Sequence, residues 1–144
     1  LRAFFDTSVI VSAFVKAHPR HKECLPWLQK VKNNEITGIM SSHSLLEAYS
    51  VLTTLPLSPR IGPSLALKLL KENLISCFEI INYSPDDNIR LLEELSGSGL
   101  AGGSTYDGFI IYAAKKANPD IILTLNLNDF LRVAPELVKI ISLP

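Results

Sequence analysis

Long apolar runs, cysteines and net charge are all scarce in this sequence, and each scarcity excludes something. The opening stretch "RAFFDTSVIVSAFV" has only Arg2 as a basic flank and carries Asp6 inside its apolar run. Its uninterrupted part, "VIVSAFV", is far short of the roughly 20 residues a membrane span needs, so neither a signal peptide nor an anchor is expected. Two cysteines, Cys24 and Cys77, are too few for a disulfide framework and suit a reducing cytoplasm. Fourteen basic residues balance fourteen acidic ones, so no global field draws nucleic acid and any such binding rests on a local patch. The chain also lacks G-x-x-x-x-G-K-S/T and G-x-S-x-G, which argues against a P-loop nucleotidase and a serine hydrolase.

What is present is an apolar composition in an alternating pattern. With 144 residues, of which 47% are hydrophobic and 19% charged, one compact domain over residues 1–144 is expected. Short apolar runs read as strands: "RAFF", "ITGIMSS", "CFEII", "IILTL" and "KIISL". Between them lie helical segments: "SVIVSAFV", "PRHKECLPWLQKVKNN", "SLLEAYSVLTTL", "SLALKLLKENL", "SPDDNIRLLEEL" and "STYDGFIIYAAKKA". In the second of these, Leu25, Leu28 and Val31 share a side, and Pro26 marks a kink or a nearby start. Ser84 is the expected N-cap of the fifth, with Pro85 in its first turn. Strands alternating with helices imply parallel pairing, hence an α/β/α sandwich on a central, mainly parallel sheet of about five strands. Ligands of such sheets bind outside the carboxyl ends of the strands.

Four carboxylates fall near such ends. Asp6 follows the first strand, Glu47 lies in the helix after the second, Asp107 in the helix after a glycine-rich loop, and Asp129 just beyond "IILTL". Converging carboxylates repel unless a divalent cation screens them, and Mg²⁺ or Mn²⁺ favours such hard oxygen ligands. Each acid also has a plainer role open to it. Ser44-x-x-Glu47 and Ser104-x-x-Asp107 fit the pattern that opens helices, while Asp6 and Asp129 could cap the helices beside them.

The order of the segments is more specific than any one of them. "FFDTSVIVSAF", "SSHSLLEAYSVLT", "GLAGGSTYDGFIIYAA" and "TLNLNDF" together resemble the PIN-domain family, especially its VapC-type toxins, from Arg2 to Phe130. The resemblance implies a metal-dependent endoribonuclease with Asp6, Glu47, Asp107 and Asp129 as catalytic and metal-holding acids. Thr7, Ser8, Thr124 and Asn126 would stand behind them, the hydroxyls orienting a carboxylate or a water. Asn126 departs from the family pattern, which usually has an aspartate there. An amide oxygen can ligate a hard cation but brings no negative charge, which weakens a second metal site. The resemblance further implies an RNA substrate, a cognate antitoxin that inserts a basic side chain into the acidic site, and a homodimer. The alternative is a PIN-fold module in which Asn126 has removed useful catalysis, still engaging RNA or an antitoxin.

Three further signals compete. "GSGLAG" matches G-x-G-x-x-G, but an amphipathic helix precedes it where a dinucleotide site needs a strand; a loop giving substrate access to Asp107, or a plain connector, fits better. His18, His21 and Cys24 have zinc-like spacing without a second ligand cluster nearby. With Lys16, Arg20 and Lys22 these histidines make the densest basic stretch, read either as a contact for RNA phosphates or as a solvated face.

Overall fold

Residues 1–144 are described by a computed structural model. The buried run Arg2–Phe5 forms β1, the middle strand of a five-stranded sheet, and the chain builds outward from it in both directions. From β1 it passes through α1 (Thr7–Phe14) and α2 (His21–Lys32) to β2 (Thr37–Ser41), which pairs beside β1. Next come α3 (Ser42–Thr54) and α4 (Pro63–Leu70), the latter continued by a π-helical turn over Lys71–Ile75, and then β3 (Phe78–Ile81). The second half runs through α5 (Pro85–Gly97) and α6 (Ser104–Ala117) to β4 (Ile121–Leu123) on the other side of β1. Finally α7 (Leu127–Val133) and a 3₁₀ turn at Pro135–Leu137 lead to β5 (Ile141–Ser142). The order is β3-β2-β1-β4-β5, and every pair is parallel.

Period-two alternation divides the strands between two apolar layers. Ala3, Phe5, Met40 and Leu123 face α1, α2, α3 and α4, where Ile10, Leu28, Leu52 and Leu70 are buried. Phe4, Ile39 and Ile122 face the other way, against Ile110, Ile111 and Ala114 of α6 and Phe130 of α7. This is the α/β/α sandwich expected from the alternation of strand and helix signals. No helix is long and apolar enough to cross a membrane.

Helix boundaries have local causes. The hydroxyl of Ser84 accepts from the Asp87 amide while the Asp87 carboxylate accepts from the Ser84 amide, a reciprocal capping box that starts α5. Asp87 also takes a hydrogen bond from Lys116 at 2.6 Å and one from Tyr112 at 3.1 Å, tying α5 to α6; the lysine foremost holds its carboxyl well below the usual range. Pro26 lies inside α2, which already starts at His21, rather than at the helix start, and Cys24, not Leu25, joins Leu28 and Val31 on the buried face. A proline there removes one intrahelical hydrogen bond, and that buried face holds the helix together regardless.

Gly38 lets α2 sit down on the sheet. A Cβ at that position would lie 2.7 Å from the Phe78 ring and 2.7 Å from a Val31 methyl. Gly38→Ala is therefore expected to destabilise the protein by about 1–3 kcal/mol through overpacking. Urea unfolding checks it, with Val31→Ala in the same background recovering part of the loss. An unchanged midpoint for Gly38→Ala would mean that α2 can move off the sheet at no cost.

Candidate functional site

Because every strand is parallel, all the carboxyl ends lie along one edge. The chain builds away from β1 in one direction through β2 and in the other through β4, so the crevice of a doubly wound sheet opens at the β1/β4 junction. Asp6 follows β1 there and Thr124 follows β4. The Asp6 amide donates to the Leu123 carbonyl at 2.9 Å, so the ladder runs right up to the site. Asp6 is 2% exposed. Its Oδ2 accepts from the Thr124 hydroxyl at 2.8 Å and from the Ser8 hydroxyl at 2.5 Å. Those hydroxyls are held in turn: Thr124 Oγ1 accepts from the Asn126 amide at 2.9 Å, and Ser8 Oγ from the Leu125 amide at 3.0 Å. Both hydroxyls fall on one carboxylate oxygen, and neither engages Oδ1.

Two more carboxylates share the crevice. Glu47, on α3, accepts from the Thr7 hydroxyl at 2.8 Å and lies 3.6 Å from His43 Nε2. Asp107 sits in the first turn of α6. The capping roles left open by the sequence are not taken up. Helix α3 is capped one turn earlier, by Ser41, whose hydroxyl accepts from the Ser44 amide at 3.1 Å. Gly103 precedes α6 without a side-chain cap, and Asp6 precedes α1 without its carboxylate capping the helix. Asp129 does not begin a helix either; it lies within the first turn of α7, which follows Asn126.

A cleft of about 450 Å³ brings together Asp6, Glu47 and Asp107, with Thr7, Ser8 and Asn126 on its wall. Asp129 is outside that lining. It is exposed and accepts from Arg132 at 3.2 Å. Burial pushes the Asp6 carboxyl up to about 6; the hydroxyls of Ser8 and Thr124 oppose this, and the charge of Glu47 adds to it. Burial also raises Asp107, as do the charges of Asp129 and Glu47, against the pull of Arg132. The site thus holds more negative charge than its surroundings stabilise.

The donor chemistry fits a hard divalent cation. All the candidate ligands are oxygens, yet no three carboxylate, imidazole or thiolate groups are drawn together into a ready cage. Mg²⁺ commonly binds through one or two carboxylates and completes its shell with water and substrate phosphate, which suits this arrangement. Asp6 and Asp107 would be the first to hold it, with Glu47 beside them.

The other sequence signals resolve differently. His18 Nε2 lies 3.3 Å from the Ser12 hydroxyl, and His21 Nδ1 donates to the Ser12 carbonyl at 3.0 Å, while Cys24 is buried. The zinc-like spacing therefore serves to lash the start of α2 to α1. Arg20 lines the cleft; Lys16 and Lys22 are exposed and do not. The glycine-rich segment follows helix α5, not a strand. Its Gly97, Ser98 and Leu100 border a separate hollow between α5, α6 and α7, and its Gly103 directly precedes α6, whose first turn carries Asp107. In that hollow the charges are already matched, Lys115 pairing with Glu136 at 2.7 Å. The sequence reading missed two residues, Tyr106 and His43. Tyr106 lines the cleft, and the signal for it was its place directly before Asp107. His43, one helical turn before Glu47, carried a similar signal.

Comparison with known proteins places this arrangement in context. Residues 3–135 match the family model described as PIN domain. The chain is similar to ribonuclease VapC40 of Mycobacterium tuberculosis, 32% identical over 142 residues, covering 92% of this chain and 96% of the relative. It is also similar to ribonuclease VapC27 of the same species, 28% identical over 116 residues, covering 81% of this chain and 79% of that one. Among solved structures, VapBC2 from Rickettsia felis bound to a DNA fragment from its promoter superposes with a TM-score of 0.60, at 24% identity over 92% of each chain.

The raised Asp6 carboxyl has a measurable sign. Its proton is held more tightly in the folded chain, about 6 against an ordinary 3.8, so its contribution to stability is full below about pH 4 and lost as pH rises through 6. In chelator, the stability of Asp6→Asn relative to wild type is expected to grow between pH 4 and 7, by about 3 kcal/mol at most. Urea titrations at a series of pH values measure that gap. A constant gap would show Asp6 ionising as an ordinary carboxylate.

Proposed function

From the premise that this chain belongs to the PIN domain family, we propose that it is a metal-dependent endoribonuclease, the toxin of a toxin–antitoxin pair, hydrolysing RNA phosphodiesters with an activated water. One observation carries the reading: a buried Asp6, pinned by two hydroxyls at the β1/β4 junction, shares a cleft with Glu47 and Asp107. The names of the relatives, ribonucleases VapC40 and VapC27, support the reaction class.

Asp6, Glu47, Asp107 and Asp129 are the acids assigned to the reaction, with Mg²⁺ or Mn²⁺ as the ion. A bound ion of this kind supplies a water of lowered pKa and offsets charge on the reacting phosphate. Thr124 and Ser8 fix the Asp6 carboxylate, so its free oxygen presents one geometry to whatever enters the cleft. Thr7 does the same for Glu47. Asp129 acts through its field, keeping the Asp107 carboxyl raised in opposition to Arg132. Asn126 offers an amide oxygen on the cleft wall without charge.

In this reading residues 1–144 work as one PIN-like domain that pairs with itself and with an antitoxin. A cytoplasmic setting, where thiols stay reduced, agrees with the free Cys24 and Cys77. The neutral Asn126 and the outlying Asp129 favour a second reading, a binding module with feeble catalysis, because they leave one firm ion position rather than two.

Hydrolysis of RNA in Mg²⁺ or Mn²⁺ separates the two. Asp6→Asn and Asp107→Asn are each expected to lower cleavage on the order of 100-fold or more with the fold intact by circular dichroism, and excess chelator to abolish it. Thr124→Val, which leaves Asp6 in place but unpins it, should lose about 10–100-fold. Equal metal-dependent cleavage by wild type and both aspartate variants would falsify the assignment; a wild type without turnover selects the binding module.

A further inference from the structure

The cleft carries an exposed aromatic surface that the chemistry of the acids does not use. Tyr106 stands directly before Asp107 on α6, lines the cleft, and is 61% exposed. It is not a loose surface ring. His43 lies almost parallel to it, with ring centroids 5.5 Å apart and planes 14° from each other. His43 rests in turn on Phe109 at 5.1 Å, and Phe109 on Tyr83 at 4.2 Å. One face of Tyr106 is thus backed by a ladder reaching into the packed side of α6, while the ring stays open to solvent. The same His43 lies beside Glu47, so the aromatic ladder and the acidic centre share a wall.

A second feature of the cleft also lacks a partner. Arg20 Nε is buried and makes no hydrogen bond, although Arg20 Nη2 pairs with Glu23 at 2.5 Å. An unpaired buried donor is unfavourable, and the Arg20 side chain as a whole lines the cleft, where its guanidinium presents a positive charge to an entering anion.

We propose that Tyr106, backed by His43, stacks a base of the nucleic-acid strand next to the phosphate held by the acids, and that Arg20 binds a neighbouring phosphate. The inference rests on the ribonuclease reading and adds to it the residues that seat the substrate. A rigid aromatic ring with one open face offers stacking without a large ordering cost, and every base has a face to offer it. Purines stack more strongly than pyrimidines, so Tyr106 gives the cleft a purine preference at that position, without hydrogen bonds to base edges.

The test uses the full chain carrying Asp6→Asn, so that the probe survives, and fluorescein-labelled oligoadenylate and oligouridylate as single-stranded probes in anisotropy titrations. Adding Tyr106→Ala is expected to weaken oligoadenylate about tenfold, the scale of one lost base stack, and oligouridylate less, closing the gap between them. Tyr106→Phe keeps both affinities. Arg20→Gln weakens both probes alike and lowers the dependence of log affinity on log salt by about 0.7, the signature of one lost phosphate contact. In the wild-type background, Tyr106→Ala raises KM while kcat changes little. Unchanged affinities in Tyr106→Ala overturn the stacking assignment, as does a Tyr106→Phe variant as weak as the alanine one. Loss of self-association in light scattering with RNA affinity intact also overturns it and marks this face as a protein contact. If the parent chain binds neither probe, the platform falls, and the ribonuclease reading falls with it only where the wild type also fails to cleave RNA in Mg²⁺ or Mn²⁺; if the parent binds and the Tyr106 variants bind as it does, the platform alone falls.

Discussion

The bond from Thr124 Oγ1 to Asp6 Oδ2 is the constraint on which the rest of the site depends. It joins residues 118 positions apart, both almost wholly buried, across the junction of the two central strands. Parallel neighbours cannot be joined by a tight turn, so almost the whole chain between them must fold around the sheet before this bond can form. Its energetic setting is unfavourable in one respect. Two hydroxyls only partly replace the water that a carboxylate loses on burial, and the Glu47 charge works against ionisation. The fold therefore maintains a carboxyl that is reluctant to ionise, at the place where strand ends converge. A divalent cation held there would relieve that repulsion, and its binding would then add to folding stability.

That constraint also separates what the sequence made legible from what it did not. Strands of a parallel sheet read as short apolar runs, so β1 through β5 stood out, and a charge closing the first run marked Asp6 as unusual. Glu47 and Asp107 were ambiguous for a physical reason: the spacing that opens a helix equals the spacing that places an acid one turn inside it. The ambiguity ends only with backbone geometry, where Ser41 takes the cap of α3 and Gly103 stands before α6. The partner of Asp129 was hidden for a similar reason. Arg132 lies three residues on, a pairing that matters only once α7 starts as early as Leu127 and puts both on one face. The stack of His43 on Tyr106 was out of reach altogether, since it depends on how α3 packs against α6, which no local pattern encodes.

The histidine-rich segment shows the converse, a strong local pattern with a modest structural use. His18 and His21 both turn toward Ser12, so α1 and α2 are locked at the cleft side, and Arg20, held between those histidines, is carried onto the cleft wall. The backbone amide of Arg20 donates to His18 Nδ1 at 3.1 Å, which fixes the loop that delivers the guanidinium. What resembled a set of metal ligands is a brace that positions a single cation near three acids.

A neutral chain with an acidic cleft poses an electrostatic problem for an anionic substrate. No long-range field assists approach, since the fourteen basic residues are matched by fourteen acidic ones. Asp6, Glu47 and Asp107 would repel a phosphate outright. Three contributions can reverse the balance at short range: a divalent ion on the acids, the guanidinium of Arg20, and stacking on Tyr106, which does not depend on charge. The first two weaken as salt rises or as the ion is withdrawn, whereas the third persists. Substrate held partly by stacking can therefore sit against the acids without relying on charge, and a hard divalent ion held by Asp6 and Asp107 would find in the substrate phosphate further oxygen ligands of the kind it prefers.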